Sequence, residues 1–134
     1  MNAIAKLKQP AFAEFLGIKI THYSADRVTG ELAVRPEFDN LSGSLHGGAI
    51  MALADNLGGA ATMANLPDGA RTATLESKTN FFAGIAIGDT ARGECTPLHR
   101  GRTTMVWQTR ITRNDGRLCA MVTQTQMVIA APKT

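Results

Sequence analysis

The sequence has few cysteines, few aromatic residues and no segment with the features of an export signal. Its two cysteines, Cys95 and Cys119, lie far apart in the chain and belong to no C-x-x-C pair. This usage is typical of reduced thiols in an intracellular protein rather than of a disulfide framework. The N-terminal residues contain no apolar segment followed by a small-residue cleavage site. We therefore expect a cytoplasmic location.

Long apolar runs, metal-ligand clusters and basic helices are also absent. The most apolar stretch, residues 48–64, is interrupted by Asp55 and Asn56, so we expect no membrane span. The three histidines are dispersed and none has ligand spacing with another His, Cys or Asp, which predicts no metal site. The net charge is only +3, with no zinc spacing and little aromatic interleaving, so no nucleic-acid partner is expected.

The composition that remains is that of one globular domain. A chain of 134 residues with 44% hydrophobic content can bury a core, so we predict a single domain over 1–134. Residues 9–16 predict a short helix that stops at a glycine, and a long helix is expected from about Gly48 to Ala64. Alternating apolar residues predict six strands, over residues 17–23, 27–34, 72–82, 89–98, 102–113 and 117–129.

The long helix decides the predicted architecture. It is built of glycine, alanine and aliphatic residues with no polar face, so it is expected to be buried. A curved antiparallel sheet of about six strands wrapped around it is the simplest arrangement that buries its whole surface. The predicted fold class is therefore α+β, with the sheet surrounding one central helix.

Asp55 is the one ionisable side chain inside this helix. A carboxylate in a buried helix is costly unless a partner compensates it. Asp55 therefore either has a structural partner, such as Asn56 or a strand hydroxyl, or is retained for chemistry.

Three features around this helix resemble a known family. They are Asn40, the run His46-Gly47-Gly48, and Asp55 within the tripeptide LAD. With four strands following, the pattern resembles hotdog-fold acyl-CoA thioesterases, in particular the phenylacetate-pathway (PaaI-like) branch of the 4-hydroxybenzoyl-CoA thioesterase superfamily. The resemblance covers nearly the whole chain. It implies hydrolysis of an acyl-CoA or aroyl-CoA thioester to the free acid and CoA, with no cofactor, because CoA belongs to the substrate.

The helix start suits that chemistry. Thioester hydrolysis places negative charge on the carbonyl oxygen, and backbone N–H groups at a helix N-terminus stabilise it. Gly47 and Gly48 lie there and allow close approach to the backbone. The resemblance implies that the carbonyl points at an amide of this turn, that Asn40 adds a polar contact and that His46 orients the thioester. The alternative for His46 is a helix-capping role.

Asp55 lies roughly 10 Å from these amides on its own helix, at ~1.5 Å per residue. The resemblance implies that two chains pair so that the acid of one faces the HGG turn of the other. Asp55 is then nucleophile or general base, and the sequence does not separate the two. Thr74 is expected by the same resemblance to hold the water or the acid, although β-propensity alone also explains it.

Further residues are expected to bind the substrate. Four apolar residues are expected to line the acyl pocket or else to belong to the core: Met51, Leu53, Phe81 and Phe82. The turn before the fifth strand is expected to bind the CoA phosphates and pantetheine or else to be a solvated hairpin: Arg100, Gly101 and Arg102.

Two further expectations concern assembly and the competing functions. Six strands around one helix leave open sheet edges, so we expect a homodimer and, by resemblance, a homotetramer. The alternative function is a hotdog module that binds acyl-CoA without hydrolysing it. A hotdog dehydratase uses a different local pattern of histidine and acid, which this sequence lacks.

Overall fold

The computed structural model describes residues 3–133. A 3-10 turn, Ala3–Lys6, precedes the short helix α1, Ala11–Leu16. Helix α1 ends at Gly17, whose φ of 82° lies in the left-handed region that glycine adopts without strain. A second 3-10 turn, Pro36–Phe38, precedes the long helix α2, Gly47–Met63. The two helices lie where the sequence predicts them, within a residue or two.

Six strands form one sheet in which every neighbouring pair is antiparallel. The strands are β1 Lys19–Tyr23, β2 Val28–Ala33, β3 Arg71–Phe81, β4 Thr90–Arg100, β5 Thr104–Thr112 and β6 Leu118–Ile129. Their order is β1-β2-β4-β5-β6-β3, so β3 lies at an edge beside β6 rather than next to β2. The predicted α+β class, with six antiparallel strands curved around one long helix, is confirmed.

The sheet comes very close to α2 on one flank. Gly30 and Gly93 are paired across β2 and β4, and an added Cβ would lie 2.8 Å and 2.5 Å respectively from a methyl carbon of Leu57. Leu57 is fully buried, as is Leu53 one turn earlier. The two glycines thus make room for the helix to bury its leucine against the strands.

Trp107 fixes the second half of α2 to β5. Its side chain is fully buried, and Nε1 donates a hydrogen bond of 2.8 Å to Thr62 Oγ1. Thr62 Oγ1 in turn donates to the Gly58 carbonyl one turn earlier, also at 2.8 Å. The indole is therefore buried with its one donor satisfied, as buried tryptophan requires.

The expectation that α2 is buried on all sides is wrong for the single chain. A stripe of the helix that includes Gly48, Met51, Asp55 and Met63 is exposed, with Met63 at 55%. The reason is geometric, because one curved sheet contacts only one side of a helix. The apolar composition predicted burial correctly for the side that carries Leu53 and does not tell which molecule covers the other side.

The edge strand β3 is exposed beside this stripe. Within the described sheet, β3 pairs only with β6, which leaves the other edge of an 11-residue strand open. Leu75, Phe81 and Phe82 are each more than half exposed on or just after β3. A long open edge with exposed apolar side chains is a template for pairing with another chain.

Both cysteines are buried free thiols on the sheet. Burial raises the pKa of the Cys95 thiol to about 11. Burial also raises the pKa of Cys119. Within residues 3–133, no helix combines the length and hydropathy that a membrane crossing needs. The cytoplasmic location stays a prediction.

Candidate active site

The first candidate element is the N-terminus of α2, where His46 is the capping residue. His46 Nδ1 accepts a hydrogen bond of 2.8 Å from the Gly48 N–H. A neutral imidazole whose Nδ1 accepts carries its proton on Nε2, which leaves Nε2–H as a donor on an exposed ring. The Gly47 N–H has no acceptor among the described residues. The capping alternative for His46 thus describes the geometry, and two donors remain available beside it.

Phe81 packs directly over this turn. A Cβ on Gly47 would lie 3.1 Å from Phe81 Cζ, so only a glycine leaves the ring its position. Phe81 is 51% exposed and Phe82 is 54% exposed, while Met51, on the exposed stripe of α2, is 37% exposed. These three apolar residues therefore do not belong to the core of the single chain, and Phe81 lies at the HGG turn.

The second element is Asp55, whose two carboxylate oxygens have different surroundings. Oδ1 accepts hydrogen bonds from Thr74 Oγ1 at 2.8 Å and from Gln124 Nε2 at 2.7 Å. Oδ2 has no hydrogen-bond partner among the described residues. Asp55 is exposed rather than buried, which corrects the expectation from the sequence. The strand-hydroxyl partner weighed from the sequence is Thr74.

Gln126 extends these hydrogen bonds beneath the site. Its Oε1 accepts from Thr72 Oγ1 at 3.2 Å and lies 3.3 Å from Thr74 Oγ1, whose one proton is directed at Asp55. Gln124 and Gln126 are both only 1% exposed. Two strand threonines and two buried amides therefore support the carboxylate, which lies at the surface of α2.

The two glutamines were missed by the sequence reasoning. Residues of β6 that alternate with solvent-facing positions point toward α2, and Ala120 and Val122 open that series. Gln124 and Gln126 continue it at the same spacing. A pair of amides in register with core residues is a signal that could have identified a buried polar cluster.

Asp55 lies between two clefts on the exposed side of α2. The chain before α1 crosses the helix here, because Asn56 Nδ2 donates to Gln9 Oε1 at 2.8 Å and Gln9 Nε2 donates to the Ile18 carbonyl at 2.9 Å. One cleft, of about 140 Å³, is lined mainly by apolar groups, among them Leu7, Pro10, Gly59, Ala60 and Met63. The second, of about 190 Å³, adjoins a third cleft that reaches His46 and Gly48.

The structure does not bring Asn40 to this groove. Asn40 Oδ1 accepts from the Ser42 N–H at 2.8 Å and from the Ser44 N–H at 3.2 Å, so its carbonyl organises its own loop. The residues that line the clefts around His46 and Asp55 do not include it. The predicted contact between Asn40 and a thioester stays a prediction.

The arginine turn divides into one engaged and one free side chain. Arg100 Nη1 forms an ion pair of 2.8 Å with Asp26 and donates to the Ala25 carbonyl at 3.0 Å. Arg102 is exposed and has no ion-pair partner among the described residues. A Cβ on Gly101 would lie 3.0 Å from the Thr104 carbonyl oxygen and 2.6 Å from Nε2 of the exposed His99 ring, which would have to shift. Arg100 ties the end of β4 to the turn between β1 and β2.

A depression of about 330 Å³ on the outer face of the sheet is larger than these clefts. Four of its five charged residues pair with one another, with Arg27 2.7 Å from Glu94 and Arg92 2.7 Å from Glu31, while Arg110 has no ion-pair partner among the described residues. It has neither a helix N-terminus nor an unpaired acid, so it lacks the chemistry of the site on α2. In the part of the chain that the structure describes, no group of three or more His, Cys, Asp or Glu could hold a metal ion.

Comparisons with known proteins find relatives of this chain among thioesterases. A family model described as the thioesterase superfamily matches residues 42–120. The proofreading thioesterase EntH of Cronobacter turicensis is 34% identical over 89% of this chain and 86% of its own. The 1,4-dihydroxy-2-naphthoyl-CoA hydrolase of Escherichia coli is 30% identical over 89% of this chain and 87% of its own. The structure of thioesterase HI1161 of Haemophilus influenzae superposes with a TM-score of 0.85 at 28% identity, over 91% of this chain and 85% of that one.

The chain belongs to the thioesterase superfamily. Its six-stranded sheet around one long helix is the hotdog fold of these relatives, and the hotdog-fold thioesterase predicted from the sequence is confirmed. The protein is a thioester hydrolase. The matched segment includes His46, Asp55 and Thr74 but ends before Gln124 and Gln126.

Proposed function

We propose that the protein hydrolyses an acyl-CoA or aroyl-CoA thioester to the free acid and CoA, with Asp55 as the reacting carboxylate. The observation that carries the proposal is the asymmetry of Asp55, whose Oδ1 is bonded to two strand side chains while Oδ2 is free beside the clefts. A CoA ester as the substrate is supported by the Escherichia coli relative named 1,4-dihydroxy-2-naphthoyl-CoA hydrolase. The PaaI-like branch stays part of this proposal.

The free oxygen of Asp55 has two chemically balanced roles. As general base, Oδ2 takes a proton from water while the water oxygen attacks the carbonyl carbon. As nucleophile, Oδ2 attacks that carbon itself and forms an anhydride, which water then hydrolyses. In both routes the C–S bond breaks and the CoA thiolate leaves and takes up a proton. A single turnover in ¹⁸O-water separates the general-base route from an anhydride that water opens at the Asp55 carbon, because the first labels the acid product and the second labels the Asp55 carboxylate.

The N-terminus of α2 supplies the donors that this reaction needs. Negative charge develops on the carbonyl oxygen, and the unpaired Gly47 N–H lies at the positive end of a 17-residue helix. The His46 Nε2–H is the second donor, since Nδ1 is occupied by Gly48. Phe81, which packs over Gly47, forms the apolar wall beside the thioester.

The two elements are proposed to meet across a dimer interface. Asp55 lies roughly 10 Å along the helix from the amides of its own chain, which is too far for both to act on one carbonyl. The exposed stripe of α2 and the open edge of β3 lie together, and pairing β3 with β3 of a second chain covers both. The acid of one protomer then faces the HGG turn of its partner, and two such dimers form the expected homotetramer.

Arg102 is the proposed phosphate contact of the β4–β5 turn. Arg100 is already neutralised by Asp26, whereas the Arg102 guanidinium is available for bidentate binding to a CoA phosphate. Arg102→Ala should raise KM for a CoA ester severalfold and leave KM unchanged for the matching N-acetylcysteamine ester, which lacks the phosphates. An equal rise for both esters would contradict this assignment.

A panel of acyl-CoA and aroyl-CoA esters tests the proposal, with thiol release followed by a disulfide reagent. The proposal predicts turnover of at least one CoA thioester. The corresponding oxygen ester should be hydrolysed much more slowly. Saturable binding of CoA esters without thiol release over hours would instead favour a binding module and would contradict hydrolysis of this substrate class.

Mixed dimers test the interface. Coexpression of Asp55→Asn and His46→Ala chains should produce mixed dimers in which one site contains both native residues. If the two residues act across the interface, the mixture regains activity toward about a quarter of the native level, well above both parents. Activity equal to the mean of the two parents would contradict a shared site.

A further inference from the structure

We propose that Gln124 is the positioning residue of Asp55 and that Gly58 is a glycine because it makes room for the Gln124 amide. The inference rests on the proposed function of Asp55 and adds a residue outside the segment that the family model matches. It concerns a buried side chain that contacts no substrate and acts through the carboxylate.

The contact between the two side chains is short and protected. Gln124 lies on the face of β6 that points toward α2 and is 1% exposed. Its Nε2 lies 2.7 Å from Asp55 Oδ1 and 3.4 Å from Thr74 Oγ1. A hydrogen bond from a buried amide to a carboxylate is stronger than one between neutral groups, because it is charge-assisted and little screened by water.

The carbonyl end of the Gln124 amide lies in an unfavourable environment. Gln124 Oε1 is buried and has no hydrogen-bond partner among the described residues. A buried carbonyl without a donor is destabilising, and native structures contain few of them. Turning the amide by 180° would bring Oε1 against Asp55 Oδ1 and oppose two sets of lone pairs. The amide therefore leaves its carbonyl unpaired in order to donate to the acid.

Gly58 is the residue that permits this arrangement. A Cβ at this position would overlap Gln124 Oε1 and would lie 2.7 Å from Gln124 Cδ. Glycine weakens the interior of a helix, so its presence calls for a reason. The neighbouring Gly59 differs, because a Cβ there would meet nothing within 4 Å. Gly58 is therefore the glycine that the polar cluster requires, whereas packing within the single chain does not require Gly59.

The consequence for Asp55 follows from the number of bonds to Oδ1. Thr74 alone would leave the carboxylate free to rotate about a single hydrogen bond. With Gln124 as the second donor, Oδ1 is fixed from below, and Oδ2 keeps one direction toward the clefts. Fixed geometry of this kind raises the rate of the chemical step without changing substrate affinity.

The first experiment replaces Gln124 by methionine, which keeps the length of the side chain and removes its donor. We expect kcat to fall about tenfold to a hundredfold with KM within about twofold, the pattern of a misplaced reacting group. The melting temperature should not fall by more than about 5 °C, because the unpaired carbonyl is removed as well. A folded Gln124→Met variant with native kcat would overturn the inference.

A matched control is Gln108→Met on the outer face of β5. Gln108 is half-buried and lies in the same sheet, away from α2. This variant should keep native kcat and KM. A loss of kcat equal to that of Gln124→Met would mean that methionine disturbs the sheet generally, and it would also overturn the inference.

The second experiment tests the pairing of Gly58 with Gln124 by a double-mutant cycle. Gly58→Ala should lower both the melting temperature and kcat, because the new methyl group displaces the amide. Gly58→Ala combined with Gln124→Ala should recover melting temperature but not kcat. Additive losses of melting temperature in the cycle, or native kcat in Gly58→Ala, would contradict the pairing.

Asp55→Asn, measured in parallel, distinguishes a failure of the proposed function from a failure of the role assigned to Gln124. If the proposed function fails, Asp55→Asn and Gln124→Met both retain native thiol release. If only the present inference fails, Asp55→Asn is inactive while Gln124→Met is fully active.

Discussion

One flank of α2 packs against β2 and β4, and another packs against β6. On both flanks a glycine allows close packing, but the contacts differ in kind. On the apolar flank, Leu57 of the helix enters the space that Gly30 and Gly93 leave in the sheet. On the polar flank, Gln124 of the sheet enters the space that Gly58 leaves in the helix. Glycine allows the close approach on both flanks, but one contact buries hydrocarbon and the other holds a carboxylate.

The comparison separates residues that stabilise the fold from residues that serve the site. The apolar flank follows the general rule that tight hydrocarbon packing provides stability. The polar flank keeps a buried carbonyl unpaired, which stability alone does not favour. Variants on the apolar flank should therefore change the free energy of unfolding and leave kcat intact, whereas removing a hydrogen-bond donor to Asp55 on the polar flank should lower kcat and leave the free energy of unfolding nearly unchanged.

The largest expected effect on stability comes from Leu57→Ala. The leucine is fully buried against the sheet glycines, so its removal leaves a cavity and should cost about 2–5 kcal/mol in the free energy of unfolding. Urea denaturation measures the loss, and kcat per folded molecule should stay native. Leu98→Ala, at a leucine that is 56% exposed, is the control and should cost less than about 1 kcal/mol. A large kcat loss in folded Leu57→Ala would contradict the distinction between the two flanks.

Alkaline pH should weaken the apolar side of the sheet through Cys95. The pKa of this thiol is raised from its ordinary value of 9.0 to about 11 by burial. Below pH 9 the thiol is neutral in both states, and its full contribution to stability is present. As the pH rises from 9 to 11, the unfolded chain loses the proton first, so the free energy of unfolding falls by up to about 3 kcal/mol. Cys95→Ala should show a shallower decline over that range, and an identical decline would contradict the prediction.

Thr74→Val tests the polar flank at its second donor. Valine keeps the shape and β-propensity of threonine but removes the hydroxyl that donates to Asp55 Oδ1 at 2.8 Å. Because Gln124 still holds that oxygen, we expect kcat to fall about tenfold, equivalent to ~1.4 kcal/mol, with the fold retained. Thr79→Val is the control, since the Thr79 hydroxyl is buried without a partner on the same strand. Equal kcat losses in the two variants would contradict a specific role of the Thr74 hydroxyl in holding Asp55.

The smallest effect is expected on the outer face of the sheet, away from both flanks. Arg27 and Glu94 form an exposed ion pair, with side chains 47% and 43% exposed. A double-mutant cycle to alanine should give a coupling of about 0.2–1 kcal/mol that declines with added salt, and kcat should stay native. A coupling of several kcal/mol would show that the outer face contributes more to the fold than its exposure suggests.

The sequence was sufficient to predict the elements of the fold. The apolar composition of α2 and the alternation of the strands are local patterns, and the structure reproduces them within a few residues. The position of β3 at the sheet edge depends on the path of the chain over α2. Local patterning carries no information about that path, and none about the second molecule that would cover Met51 and Met63.

The candidate site was predicted less completely, for similar reasons. Asp55 and Thr74 were identified through a family resemblance, and the structure brings them into contact. Gln124 was missed because a glutamine in a strand is ordinarily assigned to the solvent face. The ion pair between Arg100 and Asp26 joins residues far apart in the chain, so the sequence did not reveal that the guanidinium is engaged.

The most direct test of the account is the rate of thiol release by Asp55→Asn with a CoA ester that the native protein hydrolyses. Asparagine keeps the shape of the side chain and removes the carboxylate oxygen that takes the proton or attacks the carbonyl carbon. The account predicts a loss of at least about a thousandfold in kcat, with the melting temperature and CoA-ester binding retained. Native thiol release by the folded variant would contradict it.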